Sequence, residues 1–211
     1  MIYIILFIVI AYLLGSIPTS VWVSKTFYGI DIRKEGSGNA GASNTFRVLG
    51  KKAGIPVLLF DVIKGWLAAN LIFFYPDPVL IDDKIILIKI VLGICAVIGH
   101  IFPVFIGFKG GKGIATLFGM VLGIHWQAAA LCLIIFLLML ILTKYVSVSS
   151  IIATCAFPVL AVFVFTTSEK PLIIFGLIVS VLVVITHHKN IGRLMRGEEN
   201  KANLLKKKNC S

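Results

Sequence analysis

Apolar stretches of bilayer length recur along this chain, and nearly all its charge is collected in the short segments between them. Crossing a bilayer as a helix takes about 20 apolar residues. Residues 2–23, 53–75 and 85–106 meet that length outright, and 150–166 and 171–187 meet it approximately. With 59% hydrophobic and 14% charged residues, and a mean hydropathy of +1.03, the chain falls far outside the soluble range. Its net charge of +11 does not point to nucleic acid. The lysines and arginines sit in the connections, where the preference for positive charge on the cytoplasmic side accounts for them.

The stretch 114–142 is too long for one helix and short for two. Charge parity decides. A single span would place the basic tail (Lys189, Arg193, Arg196, Lys201, Lys206, Lys207 and Lys208) outside, against the charge preference. Two short helices, about 113–124 and 126–142 with a turn near His125-Trp126-Gln127, keep every basic segment inside. The expected fold is therefore all-α and integral to the membrane, with about seven transmembrane helices, the N-terminus outside and the C-terminus cytoplasmic. The acidic connection at 76–84, with Asp77, Asp82 and Asp83, is expected outside. No basic region precedes the first apolar run, which is read as a retained helix. One polytopic domain spans 1–211, with a polar tail from about Met195 lying against anionic headgroups. This topology gathers 31–47, 107–116, 143–149 and 187–199 on one face.

The richest of these segments is Gly107-Phe-Lys-Gly-Gly-Lys-Gly113, which interleaves Lys109 and Lys112 with glycines. Glycine lets backbone N–H groups approach a ligand closely, and such a loop opening a helix suits phosphate. The plainer reading is a basic loop that only sets topology. It is not a Walker A loop, since no run ends Gly-Lys-Ser/Thr with the required spacing. In the first polar segment, Gly36-Ser-Gly-Asn-Ala-Gly-Ala-Ser-Asn44 offers the side chains of Ser37, Asn39, Ser43 and Asn44 and the amide of Gly38. Arg47 adds a guanidinium fork suited to phosphate. A merely flexible linker would need neither the two asparagines nor the arginine.

Ser147 is a hydroxyl candidate in the third segment, although a serine at a helix end commonly caps it. In the fourth, His187 and Asn190 stand three apart, on one side of a helical turn. His187 reads either as a polar anchor or as a ligand and proton-transfer group. Asp61 and Lys64 lie inside the second apolar stretch; at i,i+3 they read as a structural ion pair or as a functional charge. A His-x₄-Asp acyltransferase pair is missing, because Phe105 stands where the acid would follow His100, five residues on, and no acid follows His125 or His188 at that spacing. No metal site is expected, because the histidines lack carboxylates at ligand spacing. The cysteines Cys95, Cys132, Cys155 and Cys210 form no C-x-x-C pair and read as small core residues. A transporter of a phosphorylated solute would use a similar basic face, but neither an inverted repeat nor paired broken helices are visible.

Taken together, these motifs resemble those of the PlsY family, the bacterial acyl-phosphate:glycerol-3-phosphate acyltransferases. The resemblance rests on Gly15-Ser-Ile-Pro-Thr-Ser20, Gly36 to Asn44 with Arg47, Asp61-Val-Ile-Lys-Gly65, Gly99-His-Ile-Phe-Pro103, Phe108 to Gly113, and His187 with Asn190-Ile-Gly-Arg193. His188 stands where members usually carry arginine. The resemblance implies a multi-pass enzyme of the bacterial inner membrane with its active site facing the cytoplasm. It would move a fatty acyl group from acyl phosphate to the 1-hydroxyl of glycerol 3-phosphate, giving lysophosphatidate and phosphate without a cofactor. Its partners would be those two substrates and membrane lipid. Catalytic roles would fall to His187, Ser37 and Lys112. Substrate phosphates would be held by Ser37, Gly38, Asn39, Asn44, Arg47, Lys109, Gly110, Gly111, Lys112, Ser147, His187 and Asn190.

Overall fold

The computed structural model describes residues 2–77, 84–167 and 169–202, and every regular element among them is helical. The α-helices are α1 (Ile2–Ser16), α2 (Thr19–Tyr28), α3 (Ala42–Leu49), α4 (Lys51–Asn70), α5 (Ile85–Ile101), α6 (Ile114–Ile124), α7 (Trp126–Thr143), α8 (Val146–Val159), α9 (Lys170–Thr186) and α10 (His188–Met195). Short 3₁₀ turns occur at Ile32–Lys34, Leu71–Phe74 and Val104–Ile106, and α8 continues as a wider π turn over Leu160–Val164.

Among the described residues, five apolar stretches are long enough to cross a membrane: Ile2–Tyr28, Lys51–Phe74, Ile85–Ile106, Trp126–Thr143 and Val146–Val164. A sixth is obtained if Lys170–Thr186 and His188–Met195, bent by 55°, count together. The helix break expected near His125 is present, between α6 and α7. With 11 residues, α6 is shorter than an ordinary span: at 1.5 Å per residue it reaches about 16 Å of a hydrocarbon layer about 30 Å thick. Two boundaries differ from expectation. The first apolar run breaks at Pro18, which has no N–H to continue the ladder, and α2 restarts with the N–H groups of Val21 and Trp22 donating to Pro18 O, each at 3.0 Å. The polar segment that follows contains a helix of its own, α3. The acidic residues Asp82 and Asp83 of the connection expected outside lie beyond the described residues, as does the tail from 203.

The chain divides into two compact units, residues 1–129 with 169–172, and residues 130–168 with 173–211. In the first, small residues let helices approach backbone to backbone. Gly15 of α1 lies on the Ala96 carbonyl of α5, and Gly99 of α5 lies on the Tyr12 carbonyl. Gly65 of α4 and Gly119 of α6 make the same exchange with the carbonyls of Thr116 and Val62. Water offers no driving force between helices in lipid, so close packing of this kind must supply it. Phe7, Ala11, Ala68, Ile72, Leu92 and Ala96 form the core between α1, α4 and α5. In the second unit, Phe157 and Phe175 meet edge to face at 6.0 Å. Gly176 backs onto Phe157 and Pro158.

Candidate active site

The first polar segment is folded by its own side chains. Asn44 is buried and accepts the Ser37 N–H at 2.9 Å while its amide donates to the carbonyls of Ile32 and Glu35, each at 3.0 Å. Gly36 has φ +59°, and a Cβ there would strike Asn44 Oδ1. Asn44, expected to contact phosphate, thus has its polar atoms committed to the loop. The Gly38 N–H, also expected at phosphate, donates to Glu35 O at 3.0 Å. What the loop displays instead are side chains: Ser37 and Arg47 are exposed and Asn39 is half-buried.

Arg33 and Asp31 were not singled out from the sequence, yet they anchor this loop. Arg33 donates through Nε and Nη2 to the two oxygens of Asp31, at 2.9 and 2.7 Å, and through Nη1 to Ile106 O at 3.1 Å. It therefore ties the first loop to the segment entering the glycine–lysine loop. Those hydrogen bonds hold the Asp31 carboxyl well below the usual carboxylate range.

The glycine–lysine loop doubles back onto the end of α5. The N–H of Gly110 donates to Ile101 O, and that of Gly111 to His100 O, each at 3.1 Å. These are the amides that sequence reasoning assigned to phosphate; here they satisfy carbonyls orphaned at a helix end. A Cβ at Gly110 would fall on the His100 carbonyl, and one at Gly111 on His100 Nε2. The loop's shape is thus set by backbone bonds, and what it presents is cationic. Lys109 is exposed and Lys112 half-buried, just before Gly113 (φ +76°) opens α6. Among the described residues neither Arg47 nor Lys109 has an ion-pair partner.

The second unit holds a cluster of different construction. The carboxylate of Glu199 is buried, accepting from Ser147 Oγ at 2.8 Å, Asn190 Nδ2 at 2.6 Å and Arg193 Nε at 2.7 Å. Burial raises the pKa of this acid, but the hydrogen bonds from Asn190, Arg193 and Ser147 outweigh it and hold the carboxyl below the usual value of 4.5. Glu199 escaped the sequence reading, and its signal was compositional: Glu198 and Glu199 are the acids of an otherwise basic tail. His187 is buried, and its Nδ1 lies 2.8 Å from Val183 O. A carbonyl only accepts, so Nδ1 is the donor of that bond. His188 is exposed, with Nδ1 2.9 Å from Ile185 O.

The family model described as glycerol-3-phosphate acyltransferase matches residues 5–197. The chain belongs to the glycerol-3-phosphate acyltransferase family. A glycerol-3-phosphate acyltransferase of Chlorobium phaeobacteroides is 42% identical over 93% of this chain and 95% of its own. That of Chlorobaculum tepidum is 44% identical over 92% and 94%. Among solved structures, the integral membrane acyltransferase PlsY in its glycerol 3-phosphate form superposes with a TM-score of 0.81 at 34% identity, covering 94% of each chain. Its lysophosphatidic acid form gives 0.78. As a PlsY-family acyltransferase the chain is an integral membrane enzyme acting on glycerol 3-phosphate, and phospholipid synthesis follows from that activity. The motifs that carried the resemblance, from Gly15 to Arg193, all lie within the matched residues.

Proposed function

We propose that the acyltransferase takes its acyl group from acyl phosphate, places it on the 1-hydroxyl of glycerol 3-phosphate, and releases lysophosphatidate and inorganic phosphate. It does so at the cytoplasmic face of the inner membrane, as the first step of phospholipid synthesis. Seven helices cross in a single domain in this reading, α6 among them, with the N-terminus outside and the C-terminus inside. The related PlsY enzyme has been captured with glycerol 3-phosphate and with lysophosphatidic acid, which agrees with the substrate and product proposed.

Acyl phosphate is a mixed anhydride that arrives activated, so no acyl-enzyme is needed. The hydroxyl oxygen bonds to the acyl carbon, the bond from that carbon to the phosphate oxygen breaks, and its electron pair leaves with phosphate. The hydroxyl proton passes to His187 Nε2 or to a substrate phosphate oxygen. What the protein supplies is cation density and positioning. In the first unit, Ser37, Asn39, Arg47, Lys109 and Lys112 bind substrate phosphate, on loops shaped by Asn44, Gly38, Gly110 and Gly111. Lys112 and Ser37 also stabilise charge as it moves to the leaving group. In the second unit, His187 acts as base and Asn190 serves as a phosphate donor; Ser147, expected at phosphate, gives its single hydroxyl proton to Glu199 and orders that cluster instead.

The observation that carries this reading is the family match through residues 5–197, which takes in both loops and their outward-facing Arg47 and Lys109. Purified enzyme given acyl phosphate and labelled glycerol 3-phosphate is expected to form labelled lysophosphatidate and phosphate in equal amounts. Arg47→Ala and Lys112→Ala should each raise KM for glycerol 3-phosphate about tenfold or more, and removing a donor aimed at developing charge costs about 100-fold in rate. Product formed from acyl-CoA but not from acyl phosphate would overturn the donor assignment. A His187→Ala enzyme keeping more than about a tenth of its turnover would move the base to the substrate.

A further inference from the structure

The chemistry above leaves unused the most deeply buried ionisable side chains of the first unit. Asp61, Lys64 and His100 are 1%, 5% and 8% exposed, on helices otherwise packed through glycine and alanine. Charges taken out of water are costly unless each is answered. Asp61 Oδ1 is where the answers converge: Lys64 Nζ lies at 2.7 Å, Thr19 Oγ1 donates at 3.3 Å, and His100 Nδ1 lies at 3.6 Å. Lys64 is held in turn by donating to Ile17 O at 3.0 Å, beside the break between α1 and α2. Side chains from α2, α4 and α5 thus converge on one carboxylate oxygen.

His100 is the member of this cluster that reaches the loops. One edge of its ring faces Asp61; among the described residues no hydrogen-bond partner lies within reach of Nδ1, and its 3.6 Å approach to Asp61 Oδ1 is longer than a hydrogen bond. The opposite edge lies against Gly111, where a Cβ would strike Nε2 and would also come within 2.8 Å of the Ala40 carbonyl of the first loop. The backbone of the same residue accepts the Gly111 N–H. The imidazole is therefore a spacer between a fixed carboxylate in the helices and the peptide that precedes Lys112. It is too buried to meet a substrate from solution, and it lies one residue from the lysine.

We propose that His100, held by the Asp61–Lys64 pair, is a positioning residue that sets where the backbone at Gly111, and with it Lys112, stands toward the substrate phosphate. This rests on the reading of Lys112 as a phosphate ligand. If it is right, His100 acts through Lys112, and its effect must vanish when that side chain is gone. A residue that merely holds the fold would add its effect to any background.

The test is a double-mutant cycle on the full-length enzyme in detergent, reading KM for glycerol 3-phosphate and kcat separately. His100→Phe keeps a ring but loses both nitrogens; it is expected to raise KM about tenfold while kcat falls no more than threefold. His100→Gln, which keeps a polar group of similar reach, is expected to recover most of that loss. In the Lys112→Ala background, either substitution should change KM less than twofold, whereas in Arg47→Ala it should keep its full effect. If His100→Phe does not fold, the Gln variant carries the cycle, with an expected KM increase of about threefold that Lys112→Ala abolishes. Wild-type kinetics in both His100 variants, or the same factor in both backgrounds, would overturn the inference and leave Lys112's own role standing. A Lys112→Ala enzyme with unchanged KM would instead remove the phosphate-ligand reading.

Discussion

The two units solve the placing of polar groups beside an apolar interior by opposite means. In the first, the glycine–lysine loop is shaped by main-chain bonds, from Gly110 to Ile101 and from Gly111 to His100, and its Lys109 is exposed. In the second, Ser147, Asn190 and Arg193 are held by a single carboxylate, that of Glu199. Backbone bonds survive most side-chain changes but admit no extra atom where glycine touches a carbonyl. A shared carboxylate tolerates its surroundings but fails with one charge. The first cluster is thus sensitive to volume and the second to ionisation.

That contrast can be broken most severely at Gly110. Its added Cβ would meet the His100 and Ile101 carbonyls and Pro103, all of which resist movement. Gly110→Ala is expected to lower kcat/KM at least 100-fold, since displacing the cationic loop removes its donors from developing charge. Overpacking of this kind costs about 1–3 kcal/mol, so thermal unfolding should show a fold still formed. Near-normal activity would mean that the loop's backbone does not set the site.

A smaller but distinct loss is expected from Glu199→Gln, which keeps the shape and removes the charge. Hydrogen bonds to charged groups contribute about 1.5–3 kcal/mol, so the second unit should lose stability of that order and the enzyme about tenfold in rate. The same carboxylate gives a pH signature. Its folded pKa lies below the usual 4.5, so its stabilisation is complete above that value and is lost as pH falls through the lowered one. Acid unfolding followed by a probe in the second unit should therefore become less pH-dependent in Glu199→Gln. An unchanged acid limb would detach Glu199 from the effect. Mildest of all is Asp31→Asn. The Asp31–Arg33 pair is partly exposed and solvent-screened, and its loss is expected to cost less than about 1 kcal/mol, with KM for glycerol 3-phosphate moving no more than threefold.

Much of this was readable in advance, and what was not has a common cause. The helix break at His125 followed from charge parity, and the i,i+3 pair of Asp61 and Lys64 followed from spacing; the pair closes at 2.7 Å. Motif order carried the family. Long-range partners were out of reach: nothing local tells that Thr19 and His100 meet Asp61, or that Arg33 donates to Ile106. Backbone use was equally hidden. Glycine spacing announces that amides could face a ligand, but whether Gly110 and Gly111 spend them on a helix end depends on where α5 stops. Asn44 shows the same limit, since a side chain that can reach phosphate can also reach its own loop. Five or six stretches of crossing length are present, and α6 lacks the length to extend that number by itself.

The brevity of α6 has a consequence for biogenesis. A mostly apolar helix of 11 residues emerging from a ribosome carries little partitioning energy of its own, and α6 is gripped by α4 through Gly65 on the Thr116 carbonyl and Gly119 on the Val62 carbonyl. In the proposed seven-helix reading, its retention in the bilayer is then a matter of capture by a helix synthesised earlier. A nascent chain arrested shortly after Ile124 should lose α6 to the aqueous side when Gly65 or Gly119 is replaced by leucine, and keep it otherwise.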